Sequence, residues 1–195
     1  MLPCVGGQKY RIIIIVLLFM LLYSVMPVYH SDLWKYFKEM NRLRRIVKMS
    51  TRFKIFESIL EGVLHIQNSK IKHLDLKPSN VLIKTDQNDQ FDGLNCVITD
   101  FGIGGKMDKQ TGLRGTPGYA SPEQLVSFGV RKSDNYSFGR LMIFIFFDWS
   151  SSWTVMYKPV TDADINNLKL PPVFSKLREI IYDLLKVSKK IIPLY

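Results

Sequence analysis

The chain has 195 residues, enough for one domain with a sizeable core, and its 47% apolar and 23% charged composition is that of an ordinary globular protein. Its two cysteines, Cys4 and Cys96, stand far apart and exclude a disulfide framework, which favours a reducing compartment. The net charge of +10 favours acidic partners, although a solvated basic face is the simpler explanation.

An apolar run near the N-terminus permits two interpretations. Ile12 to Leu22 is unbroken, and the run extends to Pro27. It falls short of the roughly 18 uninterrupted apolar residues of a membrane-spanning helix, and no clear cleavage site of small residues follows it. A membrane segment over residues 12–26 therefore stays open but is less favoured than a strand of the folded domain. Neither interpretation explains Ile12 to Ile15.

The next stretch is rich in basic residues and contains one acidic residue, Glu39. The basic residues are Lys35, Lys38, Arg42, Arg44, Arg45, Lys48, Arg52 and Lys54. Lys38, Arg42 and Arg45 are expected to share one face of a helix. A solvated stripe is the favoured interpretation of this face, with substrate or lipid binding as the alternative.

The following residues predict an amphipathic helix. Its apolar positions recur at steps of three and four, which is typical of a helix with one buried face; they are Phe53, Phe56, Leu60, Val63 and Leu64. The expected N-cap is Ser50 or Thr51. Further on, residues 81–83 predict a short β-strand, and the polar stretch from Thr85 to Gly93 predicts a hairpin loop.

Between that helix and strand lies a segment with three polar side chains at fixed offsets. It reads His-Leu-Asp-Leu-Lys-Pro-Ser-Asn over residues 73–80. Pro78 prevents a continuing helix, so the segment is a tight loop. Asp75, Lys77 and Asn80 offer a carboxylate, an ammonium and an amide, which suit a site that orients a hydroxyl, neutralises phosphate charge and holds a metal ion.

A second carboxylate follows an apolar run. Asp100-Phe101-Gly102 follows Cys96-Val97-Ile98 after one intervening residue, Thr99, which places Asp100 at the end of a strand. Two carboxylates and an amide can then converge on magnesium, which prefers oxygen ligands.

Two further segments complete an ordered set of four. They read Gly-Thr-Pro-Gly-Tyr-Ala-Ser-Pro-Glu over residues 115–123 and Ser-Asp-Asn-Tyr-Ser-Phe-Gly over residues 133–139. In order, the four segments resemble the catalytic loop, metal-binding triplet, activation-segment end and central helix of the protein kinase family. The loop matches the pattern His-Arg-Asp-Leu-x-x-x-Asn except that Leu74 replaces the arginine. Lys77 and Thr116 are similar to serine/threonine rather than tyrosine kinases.

The resemblance implies a role for each polar residue. Asp75 would accept or orient the proton of a substrate hydroxyl, and Lys77 would meet the transferred phosphoryl group. Asn80 and Asp100 would hold magnesium. The resemblance also implies that backbone groups of Ser24, Val25 and Met26 face the adenine of ATP, and that Leu82 forms the floor beneath it.

The family resemblance also implies the architecture. The expected fold is α+β and kinase-like, a mainly helical large lobe with short β-hairpins and a truncated small lobe. Residues 1–30 would be a small-lobe remnant, its last strand and hinge, unless they form an apolar N-terminal segment, and residues 31–195 would be the large lobe. The glycine-rich loop and strand lysine that cover the phosphates in the family are missing before residue 20.

Several structural roles follow from the same resemblance. His73 and Phe101 would form a packing pair that aligns the two loops, and Asp134 would tie the catalytic loop to the central helix. Residues 141–147 are apolar all round, as in a fully buried helix. Pro171-Pro172 would open a last amphipathic helix with Phe174, Leu177, Ile181 and Leu184 on its apolar face.

Two positions depart from the family pattern. Because Leu74 replaces an arginine that in many kinases pairs with a phosphate, phosphorylation of the activation segment is not expected to act in the usual way. Ile192 stands where an arginine would pair with Glu123, and an unpaired partner of such a buried pair costs about 3–5 kcal/mol. Glu123 is therefore expected to be more hydrated or to find Lys189 or Lys190.

The sequence thus predicts a serine/threonine protein kinase that uses ATP and Mg²⁺ on a protein substrate, weak in isolation because half of the positioning apparatus is missing. The alternative is a catalytically silent pseudokinase that acts as a binding module. No nucleic-acid partner is expected. The expected location is cytoplasmic, with membrane association through residues 12–26 as the alternative.

Overall fold

Residues 10–17, 20–84, 95–106, 115–126, 133–147 and 175–185 are described by the computed structural model. The strands and helices are β1 (Tyr10–Leu17), β2 (Met20–Pro27), β3 (Ser31–Asp32), α1 (Leu33–Arg42), α2 (Met49–Asn68), β4 (Ile71–Lys72), β5 (Val81–Lys84), β6 (Asn95–Ile98), β7 (Gly105–Lys106), α3 (Pro122–Val126), α4 (Ser133–Phe146) and α5 (Ser175–Leu185). A short 3-10 helix, Pro78–Asn80, precedes β5. Long helices with short strands confirm the predicted α+β class.

The apolar N-terminal run forms two strands. β1 and β2 pair antiparallel, from Tyr10 opposite Pro27 to Leu17 opposite Met20. Ile12 to Ile15 therefore lie within a strand, which accounts for the part of the run that neither interpretation explained. No helix in the described part of the chain combines the length and apolar character needed to cross a membrane.

Short strands fix the loops of the candidate site. β5 lies in the middle of a three-stranded sheet between β3 and β6, and Val81 stands opposite Ile98. This register brings the residue before β5, Asn80, beside the residue after β6, Thr99. β4 and β7 pair in the same antiparallel sense and hold the outer ends of the two loops.

The core is built around α4. Each of its residues is buried except Asn135, which confirms the burial predicted from the apolar run over residues 141–147. Phe144 stacks on Trp34 with ring centroids 6.0 Å apart and lies 5.1 Å from Phe37, so α1 is anchored on α4 through aromatic rings. On the other side, a Cβ added to Gly139 would lie 3.1 Å from Leu185, which shows how closely α5 approaches.

The expectation that Arg45 shares a helical face with Lys38 and Arg42 is wrong. The helix begins at the cap Asp32, whose carboxylate accepts from the Lys35 amide at 2.8 Å, and it ends at Arg42. Arg44 has a positive φ of 53°, so Arg45 lies beyond the helix and does not share a face with Lys38. No glycine marks this end of the helix, which is why the sequence did not reveal it.

The predicted N-cap of α2 is also wrong. The helix begins at Met49, before Ser50 and Thr51, and its cap residue Lys48 makes no side-chain hydrogen bond. Arg52 fixes this start instead, because its amide donates to the Lys48 carbonyl at 3.0 Å and its Nε donates to the Val47 carbonyl at 3.1 Å. A hydrogen bond from the arginine side chain to the backbone before the helix therefore takes the place of a polar cap.

Some sequence predictions lie outside the described residues. These are the hairpin loop from Thr85 to Gly93, the helix opening at Pro171-Pro172, and Lys189, Lys190 and Ile192. α5 itself is described, and its buried Leu177 and Ile181 confirm the predicted apolar face.

Replacing Phe144 by alanine tests the aromatic anchor. Phe144 is 2% exposed, so we expect Phe144→Ala to lower the free energy of unfolding by about 3–5 kcal/mol, measured by urea denaturation. Ile180→Ala, at a site that is 50% exposed, should change it by less than about 1 kcal/mol. Equal effects of the two variants would contradict the central place given to Phe144.

Burial of Cys96 predicts a pH dependence of stability. Burial raises the pKa of its thiol from 9.0 to about 12, so between these values the folded protein holds a proton that the unfolded chain releases. The thiol's contribution to stability is fully present below pH 9 and is lost as pH rises towards 12. We therefore expect the difference in unfolding free energy between the wild type and Cys96→Ala to shrink above pH 9. A constant difference would contradict this.

Candidate active site

The loop over residues 73–80 is fixed to the core by one carboxylate. Asp134, near the start of α4, accepts from the amide of His73 at 2.8 Å and from the amide of Leu74 at 2.7 Å. All three residues are buried. These bonds hold Leu74 at a φ of 68°, a left-handed conformation that few apolar residues adopt. The predicted tie between Asp134 and the loop is confirmed.

The loop carbonyl on the other side of Leu74 is held by α3. Gln124 donates from Nε2 to the Leu74 carbonyl at 2.7 Å. Gly115 lies against this bond with a φ of 112°, and an added Cβ there would stand 2.5 Å from the Gln124 Nε2 and 2.9 Å from the Leu74 oxygen. Only glycine fits at this crossing of the two segments.

Asp75 lies at the centre of a network of polar side chains. Its Oδ2 pairs with the Lys77 ammonium at 2.7 Å, and its Oδ1 accepts from the Thr116 hydroxyl at 2.6 Å. Lys77 also donates to the Thr116 hydroxyl, at 2.8 Å. The Asp75 and Lys77 side chains are only 13% and 23% exposed, so solvent screens this ion pair incompletely.

Asn80 joins the same network through its amide nitrogen. Nδ2 donates to the Asp75 carbonyl at 2.9 Å and to the Asp75 Oδ2 at 3.2 Å. Both bonds are donated by the amide nitrogen, and neither involves the amide oxygen Oδ1. That oxygen is an acceptor of the kind that magnesium prefers.

Asp100 is held to this network by its neighbours. The Thr99 amide donates to the Asn80 carbonyl at 2.9 Å, and the Thr99 carbonyl bonds Nε2 of His73 at 2.9 Å. The rings of His73 and Phe101 lie 4.6 Å apart, which confirms the predicted packing pair. Asp100 itself has a φ of 67°, a conformation that aspartate tolerates better than most residues.

The donor set fits a magnesium ion. No group of three His, Cys, Asp or Glu side chains that could hold a metal occurs among the described residues. Asn80 and Asp100 offer two oxygen-bearing side chains on adjacent loops, and Mg²⁺ is commonly bound by one or two carboxylates together with phosphate oxygens. The residues therefore suit a metal that arrives with a phosphorylated ligand better than a metal held by the protein alone.

The position of Leu74 has a clear structural role. Its side chain is 1% exposed, so an apolar group fills the place of the family's arginine. A buried leucine offers no charge to a phosphate on a neighbouring segment.

The expectation of a more hydrated Glu123 is wrong. Glu123 is 7% exposed and lies in the first turn of α3, beside the buried Ser121 and Gln124. The alternative partners Lys189 and Lys190 lie outside the described residues.

The structure brings together only part of the predicted site. Asp75, Lys77 and Asn80 are in direct contact. Ser24, Val25 and Met26 lie on β2, where they pair with residues 11–13 of β1, and the side chains of Ser24 and Val25 are outside the described part of the structure.

Leu82 lies on β5, half-buried and opposite Val97. The residues that sequence reasoning missed as contacts of the site are Thr99, Thr116 and Gln124. The partners of these residues are remote along the chain, so no local pattern marks the contacts.

Comparison with known proteins gives the family context. The sequence model of the protein kinase domain family matches residues 19–188 of this chain. The G-type lectin S-receptor-like serine/threonine-protein kinase B120 of Arabidopsis thaliana is 36% identical over 135 residues, which cover 64% of this chain and 15% of the relative. Cysteine-rich receptor-like protein kinase 25 of the same plant is 34% identical over 128 residues, covering 63% of this chain and 18% of the relative. The chain thus spans only a small part of these relatives.

A solved structure shows the same fold. The yeast RNA Pol II CTD kinase CTDK-1 complex contains a chain that is 25% identical, with a TM-score of 0.55. The similarity covers 73% of this chain and 46% of that one. Together with the family match, this confirms the predicted kinase-like fold.

Removing the Asp134 carboxylate tests its hold on the loop. Asp134→Ala leaves two buried amides without their acceptor, and we expect it to lower the unfolding free energy by about 2–6 kcal/mol. Asp134→Asn keeps one acceptor oxygen and should cost less. Glu57→Ala, on the exposed side of α2, is the control and should cost less than about 0.5 kcal/mol. Faster hydrogen exchange at His73 and Leu74 in the Asn variant would locate the effect, whereas unchanged exchange there would contradict it.

Proposed function

Because the chain belongs to the protein kinase domain family, we propose that it transfers the γ-phosphoryl group of ATP to a serine or threonine hydroxyl of a protein. One observation carries the proposal. The Thr116 hydroxyl lies between the Asp75 carboxylate, at 2.6 Å, and the Lys77 ammonium, at 2.8 Å. The site therefore already holds an aliphatic alcohol between a proton acceptor and a cation, which is the arrangement that phosphorylation of serine or threonine requires.

Asp75 is the proposed proton acceptor. Its carboxylate is paired with Lys77 and accepts from a hydroxyl at 2.6 Å, so an ionised oxygen is available to a hydroxyl that loses its proton. Asn80 fixes the orientation of the carboxylate from the opposite side through its amide nitrogen. This orientation matters because phosphoryl transfer depends mainly on positioning and on electrostatic stabilisation.

Lys77 is the proposed cation for the phosphoryl oxygens. It lies beside both Asp75 and Thr116, so its charge remains within hydrogen-bond reach of the hydroxyl that would be phosphorylated. An ammonium acts there as a mobile point charge that can follow the phosphoryl group as it moves between oxygens.

Magnesium and ATP complete the proposal. Asn80 and Asp100 would hold the metal, which when bound neutralises charge on the phosphates. Backbone groups of Ser24 to Met26 on β2 would receive adenine above Leu82. The chemistry of the residues supports these assignments, since two loop side chains bear oxygen ligands and Leu82 is apolar and half-buried.

The remaining parts of the proposal concern context. Residues 1–30 would form the last small-lobe strand and hinge, and residues 31–195 the large lobe. The partners would be ATP and a protein bearing serine or threonine, in the cytoplasm, with no nucleic acid. We expect slow transfer by this chain alone, because its sequence has neither a Gly-x-Gly-x-x-Gly loop nor a strand lysine before residue 20.

Replacing Asp75 by asparagine tests the proposal. With radiolabelled Mg-ATP and dephosphorylated casein as substrate, we expect the rate of phosphoserine and phosphothreonine formation to fall by about 10²–10⁴ in Asp75→Asn. Lys84→Gln removes one exposed cation away from the Asp75 network and should leave the rate unchanged.

Binding of Mg-ATP, measured by thermal shift on the same proteins, separates the two candidate functions. A shift that persists in Asp75→Asn and is lost in Asp100→Asn is expected for the kinase. Transfer by the wild type no faster than by Asp75→Asn would overturn the catalytic proposal, and a retained shift would then leave the binding module.

A further inference from the structure

A cleft separate from the Asp75 network lies where α1 turns into α2. Its volume is about 540 Å³, within the usual range of ligand sites. The buried aromatic rings of Phe37 and Phe146 and the buried Val47 side chain form its apolar floor. None of the residues that we assign to ATP, magnesium or phosphoryl transfer lines it.

The wall of this cleft is strongly basic. Arg44, Arg45 and Lys48 line it and are exposed, and no aspartate or glutamate is among its lining residues. In the described part of the chain, none of the three cations lies within ion-pair distance of a carboxylate. The nearest acid in sequence, Glu39, is engaged by Arg42 through two bonds of 2.8 and 2.7 Å. Hydrogen bonding by Arg42 is the largest cause that lowers the pKa of Glu39, and the positive charge of Arg45 lowers this pKa further.

Two residues of the cleft are unfavourable for the isolated fold. Arg44 occupies the left-handed position after α1 at a φ of 53°, closed by bonds from its own amide to Asn41 and from the Arg45 amide to Met40. This is a Schellman ending, in which glycine is the usual residue. Ile46 is 91% exposed, the most of any large apolar residue described. The cleft thus exposes the Arg44 charge from a backbone conformation that favours glycine, and it exposes the apolar Ile46 side chain to solvent.

We propose that this cleft docks an acidic peptide segment of a partner protein that carries an apolar side chain. The apolar floor and Ile46 would receive the apolar side chain, while Arg44, Arg45 and Lys48 would pair with carboxylates on either side of it. Charge complementarity favours an acidic occupant, because three cations line one cavity and no acid is among its lining residues in the described part of the chain. A concave cleft with a buried floor favours a protruding side chain over the flat surface of a membrane.

The test uses a fluorescein-labelled peptide, Glu-Asp-Glu-Leu-Phe-Glu-Asp-Glu, and fluorescence anisotropy with the full chain. We expect saturable binding that weakens as salt is raised. The triple variant Arg44→Gly, Arg45→Gln, Lys48→Gln should raise Kd about tenfold or more, on the basis of several exposed ion pairs. A peptide with serines in place of Leu-Phe should also bind more weakly.

Single variants provide matched controls. Arg44→Gly should raise Kd about threefold and also raise Tm, because glycine relieves the left-handed conformation. Lys70→Gly makes the same change at the end of α2, where Lys70 has a φ of 56°, and should raise Tm without changing Kd. Ile46→Ser should weaken binding, whereas Ile180→Ser, at an exposed position of α5, should not.

Other occupants give different results. Binding to phosphatidylcholine vesicles that contain phosphatidylserine, lost in the triple variant and with no binding of the peptide, would overturn the proposal in favour of a membrane surface. Peptide binding that is absent, or that the triple variant retains at full strength, would also overturn it. Because the cleft residues are not assigned to catalysis, failure here leaves the outcome of the Asp75→Asn test unaffected.

Discussion

The buried carboxylate of Asp134 is the interaction on which the site depends. It accepts from two consecutive loop amides, at 2.8 and 2.7 Å, from a helix whose residues are nearly all buried. Hydrogen bonds from two amides to a charged acceptor are among the stronger contacts in a protein interior. They fix the direction in which the chain leaves Leu74, and therefore where Asp75 points. The Asp134 side chain thus anchors the polar network around Asp75 in the apolar core.

The sequence predicted the parts of the site that are local. Asp75, Lys77 and Asn80 lie within six residues on a loop that Pro78 keeps short, so their spacing alone brings them together. Thr116 and Gln124 reach the same loop from 41 and 50 residues away, and such contacts depend on how the segments pack. The family pattern singled out Thr116 but not its contact with Asp75, and no pattern marked Gln124, because polar residues of these types occur on many surfaces.

The fold was predicted better than the boundaries of its helices. Periodic apolar residues placed α2, α4 and α5 correctly, because burial of one face or of a whole helix leaves a clear pattern. The ends of α1 and α2 escaped prediction, since Arg44 occupies a position typical of glycine and Lys48 one typical of a polar cap. The backbone bonds of a Schellman ending hold Arg44 in place, and a bond from the Arg52 side chain to the Val47 carbonyl lies at the start of α2.

The replacement of arginine by Leu74 fits this arrangement of contacts. The backbone of Leu74 is held at its amide by Asp134 and at its carbonyl by Gln124, while its side chain is enclosed in the core. The contacts are made by the Asp134 carboxylate, the uncharged Gln124 amide and the apolar core. None of these contacts needs a phosphate. An arginine at this position would need an anion to balance its charge if it were equally buried. The loop that carries Asp75 is therefore held in its conformation by packing and neutral hydrogen bonds together with one acid, and its geometry does not depend on a charge supplied by the activation segment.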